Sequence, residues 1–228
     1  MLRIGHRGAR AYAPENTIAS FRKALEIGVD AVELDVRKTK DDQLVVIHDA
    51  DVKRTTDGAG LVGDLTLKEI KGFSAEGGEK IPTLGEALDF LDKKVKVFIE
   101  LKEVGVEGQV LSMVHGKGVE KNVVIVSFLE DALRKVRELD EDVETGLIYA
   151  KHKNPLKAAL ELKANYLVAF YRFVHTANVE KAHENGLKVV VWTINTPAEA
   201  EQYAMKGVDG ITSDKPDILT QAKSKPNA

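Results

Sequence analysis

The 228-residue sequence contains no cysteine. Disulfides, a thiolate nucleophile and a Cys-ligated zinc site are therefore excluded. It also lacks an excess of positive charge. The 33 Lys and Arg against 36 Asp and Glu leave a net charge of −3, with no basic footprint for nucleic acid and no polybasic patch for a membrane surface. No apolar run approaches the roughly 20 residues of a membrane span. No signal peptide is expected, because the first apolar run begins at Leu2 and has ended in polar residues by His6. The expectation is a cytoplasmic protein with no nucleic-acid partner and no stable membrane insertion, its oligomeric state open. What is present, 43% hydrophobic and 30% charged residues, suffices for the core of one ordinary domain.

The first strand, Leu2–Gly5, runs straight into Gly5-His6-Arg7-Gly8, where glycines permit a sharp turn and close approach of a ligand. Pro14-Glu15-Asn16-Thr17 reads as a helix opening, with Glu15 either complementing the positive dipole end or touching the site from behind the groups that meet substrate; Ile18, Phe21, Ala24 and Leu25 form its buried stripe and Gly28 its stop. The strand D-A-V-E-L-D-V-R (Asp30–Arg37) puts Glu33 and Asp35 on one face and Val32, Leu34 and Val36 on the other. Leu44–His48 follows too closely for a parallel crossover and must return antiparallel. A two-residue turn at Asp41-Asp42 would set Asp35 opposite His48. Residues 49–82 form a glycine-rich excursion with one short helix opened by a Thr66/Glu69 capping box.

From Thr83 onward the βα alternation is regular. Strands are expected at Lys96–Leu101, Val123–Phe128, Glu144–Tyr149, Asn165–Phe170, Lys188–Thr193 and Gly210–Ser213. Helices are expected to start near Val106, Glu130, Asn154, Thr176, Pro197 and Pro216. With Leu2–Gly5 and Ala31–Val36 this gives eight βα units. The fold class expected is α/β, a (β/α)8 TIM barrel with a small insertion after the second strand. One domain would span residues 1–223, including the hairpin and insertion at 38–82, with 224–228 a frayed tail.

In that fold, sites lie at the C-terminal strand ends. Those ends carry His6 and Arg7, then Glu33 and Asp35 with His48 on the hairpin, then Glu100 and Lys102, and later Trp192. Three inward carboxylates in a low-dielectric mouth repel one another. Lys102 alone does not offset them, so a divalent cation is expected. All-oxygen ligands point to Mg2+, Ca2+ or Mn2+ rather than Zn2+. The competing reading of each carboxylate alone is a plain ion pair with an inward lysine.

Eight blocks carry a resemblance: H-R-G (His6–Gly8), P-E-N-T (Pro14–Thr17), E-L-D-V (Glu33–Val36), V-I-H-D (Val46–Asp49), I-P-T-L (Ile81–Leu84), I-E-L-K (Ile99–Lys102), V-W-T-I-N (Val191–Asn195) and G-V-D-G-I (Gly207–Ile211). In order and spacing they resemble the glycerophosphodiester phosphodiesterase family across nearly the whole chain. Two departures stand out. Asp41-Asp42 replaces the family's usual Asp-Gly, and Ser213 precedes Asp214 where a Thr is common. The resemblance implies metal ligands at Glu33, Asp35 and Glu100 and catalytic histidines at His6 and His48. It also implies a small-molecule substrate, a glycerophosphodiester cleaved to glycerol phosphate and an alcohol.

Such chemistry gives Arg7 and Lys102 to the phosphate, and a general base and acid to the two histidines. His48, expected beside Asp35, is assigned the base and His6 the acid. Trp192 either walls the glycerol site or is simply core. His115, His152, His175 and His183 are read as bystanders. The rival functions are a lysophospholipase D or sphingomyelinase D, which would need an apolar lip, a metal-free sugar-phosphate isomerase barrel, and a non-catalytic phosphate-ligand-binding barrel.

Overall fold

The structure, a computed structural model, describes residues 1–221. The tail expected to fray, 224–228, lies outside them. In chain order the strands are β1 (Leu2–His6), β2 (Ala31–Lys38), β3 (Leu44–Val46), β4 (Lys96–Leu101), β5 (Val123–Ser127), β6 (Glu144–Tyr149), β7 (Tyr166–Phe170), β8 (Lys188–Trp192) and β9 (Gly210–Ser213). Parallel pairing runs β1-β2-β4-β5-β6-β7-β8-β9 and closes from β9 back to β1, giving an eight-stranded barrel. β3 lies antiparallel on β2, outside the parallel ring. The helices are α1 (Ile18–Ile27), α2 (Leu67–Gly72), α3 (Leu84–Leu91), α4 (Glu107–Gly116), α5 (Glu130–Leu139), α6 (Pro155–Glu161), α7 (Thr176–Glu184) and α8 (Pro197–Met205). The architecture is the expected (β/α)8 barrel, except that the segment after β9, Pro216–Gln221, is a 3-10 helix as far as it is described.

Alternation along the strands sorts the core into layers. Inside the barrel pack Ile4, Phe98, Val124, Tyr166, Val168 and Val190, with the Phe98 and Tyr166 rings edge to face at 5.5 Å. Between barrel and helices, Val32, Leu34 and Val36 of β2 join Phe21 and Ala24 of α1 and Leu88 of α3. The all-apolar run in β3 has a simple cause: it is buried on both faces. Leu44 and Val46 point into this barrel layer, while Val45 and Ile47 build a satellite core with Val52, Val62, Ile70 and Ile81 of the insertion.

Two local expectations are corrected. The helix after β1 begins at Ile18, capped by Thr17 in a capping box with Ser20; Pro14, Glu15 and Asn16 form a preceding turn in which Asn16 has φ 58°. Glu15 is therefore not a first-turn dipole residue. The β2–β3 register is one residue off the expected one, with Val36 opposite Val46 and Lys38 opposite Leu44. The turn has three residues, Lys40 to Asp42. It is closed by Thr39 N–H donating to the Gln43 carbonyl at 2.9 Å, with Asp42 at φ 58°. The left-handed conformation at Asp42 is one that glycine adopts without strain. Asp35 consequently faces Ile47, whose N–H donates to the Asp35 carbonyl at 3.0 Å.

Glycine is required at position 8. Its φ is +81°, and a Cβ there would sit 2.4 Å from Ser20 Oγ. Ser20 Oγ donates to the Arg7 carbonyl at 2.8 Å, so the N-terminal turn of α1 is packed directly under the H-R-G turn.

Candidate active site

The C-terminal strand ends converge on a cavity of about 190 Å³ whose lining includes His6, Arg7, Glu33, His48, Glu100, Lys102 and Trp192. Asp35 lies beneath it, fully buried. Glu33, Asp35 and Glu100 each offer one oxygen such that all three lie within 4.8 Å of one another. The inverted alternation of β2 and the pairing of Asp35 with Glu100 between β2 and β4 bring them there. Every residue proposed for the site from the sequence is thus in or against one cavity. The four remaining histidines are outside its lining, and three of them pair with surface acids: His115 with Asp140, His152 with Glu130 and His183 with Asp209.

Charges in the trio are only partly offset. Asp35 Oδ2 lies 3.1 Å from Arg7 Nε and accepts from Asn16 Nδ2 at 2.8 Å. Lys102 Nζ donates to Glu100 Oε1 at 2.6 Å and lies 3.6 Å from Asp35 Oδ1. Glu33 Oε2 accepts the Arg7 backbone N–H at 2.9 Å and faces His6 Nε2 at 3.9 Å. Burial, with repulsion from Asp35 and Glu100, pushes Glu33 well above the ordinary carboxyl range. Burial and Asp35 likewise push Glu100 up to about 7, against the pull of Lys102. For Asp35 burial also works upward, but Arg7, then Lys102 and His48, outweigh it and leave the group below its usual value. Two cations thus stand among three carboxylates. Arg7 belongs to this balance, which reading Lys102 as the one local cation overlooked.

The two imidazoles are held alike. His6 Nδ1 sits 2.6 Å from Asp214 Oδ1, and His48 Nδ1 sits 2.6 Å from Asp49 Oδ1. A carboxylate accepts only, so each Nδ1 carries its proton and Nε2 is left for chemistry. Burial lowers both histidines below their usual range, opposed at His6 mainly by Asp214 and at His48 mainly by Asp35 and Asp49. Asp214 is itself fixed by Asn195 Nδ2 at 2.8 Å and Arg10 Nε at 2.8 Å.

The same cavity has an aromatic wall. Trp192 meets Phe128 edge to face at 5.7 Å and Phe170 at 5.3 Å, and its Nε1–H donates to the Val168 carbonyl at 3.1 Å. Phe128 shares the cavity lining and is 44% exposed.

A family model described as the glycerophosphoryl diester phosphodiesterase family matches residues 6–218. The chain belongs to this family. It is 40% identical to a glycerophosphodiester phosphodiesterase of Caldanaerobacter subterraneus subsp. tengcongensis, over 95% of each chain. Among solved structures it is similar to a glycerophosphodiester phosphodiesterase of Agrobacterium tumefaciens, with TM-score 0.86, 30% identity, and 95% and 97% of the two chains covered. It is also similar to an Oleispira antarctica phosphodiesterase in complex with its product sn-glycerol-3-phosphate, with TM-score 0.88, 28% identity, and 96% and 95% covered.

As a member of the glycerophosphoryl diester phosphodiesterase family, the chain shows site groups that its sequence alone did not single out: Asp214, Asp49, Asn16, Arg10 and Arg54. Asp214 and His6 are 208 positions apart, and no periodicity links them. Asp49 was within reach, because an Asp directly after a strand-end histidine can hydrogen-bond its ring.

Proposed function

We propose that this protein hydrolyses glycerophosphodiesters to glycerol phosphate and an alcohol, with residues 1–223 acting as one catalytic domain. The observation carrying this reading is the juxtaposition, in one cavity, of a buried carboxylate trio and two imidazoles each backed by an aspartate. The residues fit a hard divalent cation, Mg2+, Ca2+ or Mn2+. Three carboxylates offer converging oxygens, and Asp35 Oδ1 is buried with no hydrogen-bond partner. Glu33, Asp35 and Glu100 would hold such an ion. When bound, it would withdraw charge from a phosphate oxygen and orient the group.

The remaining work falls to side chains. Arg7 and Lys102 border the cavity and supply positive charge to the other phosphate oxygens. His48 Nε2 removes a proton from the attacking hydroxyl, either water, or the substrate's own glycerol hydroxyl to give a cyclic phosphate that water then opens. His6 delivers a proton to the departing alkoxide oxygen. The assignment of His6 as acid rests on its surroundings. Asp214 at Nδ1 favours the imidazolium needed to donate, against the burial that disfavours it. Asp49 fixes the neutral tautomer of His48 that can accept. Trp192 and Phe128 form the apolar wall against which the glycerol carbons lie.

One observation favours a second reading, a lysophospholipase D or sphingomyelinase D-like activity. The aromatic wall continues outward from Trp192 through Phe170 to Phe173, at ring separations of 5.3 and 6.0 Å, and Phe173 is 40% exposed. That ridge is the apolar lip an acyl chain needs. The test is turnover of glycerophosphocholine, glycerophosphoethanolamine and lysophosphatidylcholine by purified protein, read by phosphorus NMR. Faster release of glycerol phosphate from the two deacylated diesters supports the proposal. Faster turnover of lysophosphatidylcholine establishes the second reading, and no turnover of any establishes a binding barrel.

A further inference from the structure

The side chains that back the two histidines meet at one residue. Asp214, behind His6, is 2.8 Å from Arg10 Nε, and Arg10 Nη1 is 3.6 Å from Glu15 Oε2. On the other side Asp49, behind His48, pairs with Arg54 Nε. Arg54 reaches Glu15 with both remaining nitrogens, at 2.7 and 3.0 Å. Glu15 Oε1 also accepts from Arg7 Nη1 at 2.8 Å. One carboxylate therefore closes a path His6–Asp214–Arg10–Glu15–Arg54–Asp49–His48, with Arg7 as a branch to Asp35.

The path joins separate parts of the chain: Asp214 follows β9, Asp49 and Arg54 belong to the insertion, and Glu15 lies in the turn before α1. That turn is itself well fixed. Asn16 N–H donates to the Arg7 carbonyl at 3.1 Å and Asn16 Nδ2 to Asp35 Oδ2 at 2.8 Å, while Thr17 caps the helix. The Glu15 side chain is only 13% exposed, so its ion pairs are poorly screened.

We propose that Glu15 is a positioning residue that sets both imidazoles at once, by fixing Arg10 behind the Asp214–His6 pair and Arg54 behind the Asp49–His48 pair. The insertion is thereby registered to the barrel mouth through Glu15, although its own hydrophobic core is separate. This rests on the phosphodiesterase reading for its meaning in catalysis, but not for its test. Glu15 touches neither histidine, so its influence on them passes through Arg10 and Arg54, while its bond to Arg7 bears on Asp35 and the phosphate site.

The experiment is nitrogen-15 NMR of the imidazole Nδ1–H resonances, assigned by their loss in His6→Ala and His48→Ala. Those protons are hydrogen-bonded to carboxylates and report directly on each pair. Glu15→Gln is expected to shift or broaden both resonances. Arg54→Gln should disturb only the His48 resonance and Arg10→Gln only that of His6. For Glu15→Gln, kcat on glycerophosphocholine should fall about 10–100-fold, the range typical of supporting groups, and any rise in KM reports the lost bond to Arg7 rather than the two histidines. Arg54→Lys, which keeps the charge but not the fork, should disturb the His48 resonance less than Arg54→Gln does.

Unchanged resonances in Glu15→Gln overturn the proposal. So does disturbance of both histidines by each arginine variant, which would mean general loosening. If Glu15→Gln does not fold, the arginine variants, at side chains 31% and 48% exposed, carry the test alone. Resonances unmoved in both then overturn the proposal. Wild-type protein without turnover would overturn the functional reading, while the selective resonance pattern would still establish the tether.

Discussion

Glu100→Gln isolates the cost of gathering three carboxylates. Gln keeps the shape and removes the charge. In metal-stripped protein the Glu100 carboxyl is raised from 4.5 to about 7. Between those values the folded chain holds a proton that the unfolded chain has lost, so stability falls as pH rises through the window. A shift of this size corresponds to about 3 kcal/mol. Glu33 moves in the same sense, and part of its shift comes from Glu100, so the substitution relieves that as well. His6 and His48, lowered by burial, act oppositely by gaining stability as pH rises toward 6.5, but they are common to both proteins.

The assay is urea unfolding of EDTA-treated wild type and variant at about pH 5 and about pH 8. On going to the higher pH, the variant should gain on the wild type by about 3 kcal/mol. Saturation with Mg2+, Ca2+ or Mn2+ should then take back most of that advantage. A ligand at 100 times its Kd adds about 2.7 kcal/mol to the wild type. The variant, with one of three carboxylates replaced by a neutral amide, should gain less. Parallel behaviour of the two proteins at both pH values would refute the account of the trio. A wild type indifferent to divalent cations would refute the metal assignment.

Two further outcomes are expected. His6→Ala should recover much of its lost rate when the leaving alcohol is replaced by p-nitrophenol, which departs without a proton, whereas His48→Ala should stay slow; effects of this kind run to roughly 10²–10⁴-fold, and rescue of His48→Ala alone would exchange the two roles. Phe98→Ala should cost about 3–5 kcal/mol in urea unfolding, because the ring is 2% exposed inside the barrel against Tyr166, and a cost below about 1 kcal/mol would contradict the packing described.

Much of the site was legible because barrel strands are apolar by default. Glu33, Asp35 and Glu100 interrupt strands whose outward faces are Val, Leu and Ile, and a charge inside such a strand has few bland explanations. The barrel itself followed from the spacing of βα units, and the antiparallel return from a connection too short to cross over. What escaped depends on turn geometry and on contacts between distant segments. The two-residue turn at Asp41-Asp42 was the simplest closure, yet Thr39 Oγ1 accepts from the Gln43 N–H at 2.9 Å and donates to Asp41 Oδ1 at 2.6 Å, favouring the longer loop. Glu15 looked like a dipole residue because Pro precedes it, but Asn16 enters the left-handed region and delays the helix to Ile18. Asp214, Arg10 and Arg54 sit on loops, where no periodicity indicates which way a side chain points.

The central claim is that the carboxylate trio and the two aspartate-backed histidines form a metal-assisted phosphodiesterase. Its most direct test is release of glycerol phosphate from glycerophosphocholine by purified protein, measured before EDTA treatment, after it, and after divalent cation is restored. The account predicts activity that EDTA abolishes and Mg2+, Ca2+ or Mn2+ brings back. Full turnover by rigorously metal-stripped protein would contradict it.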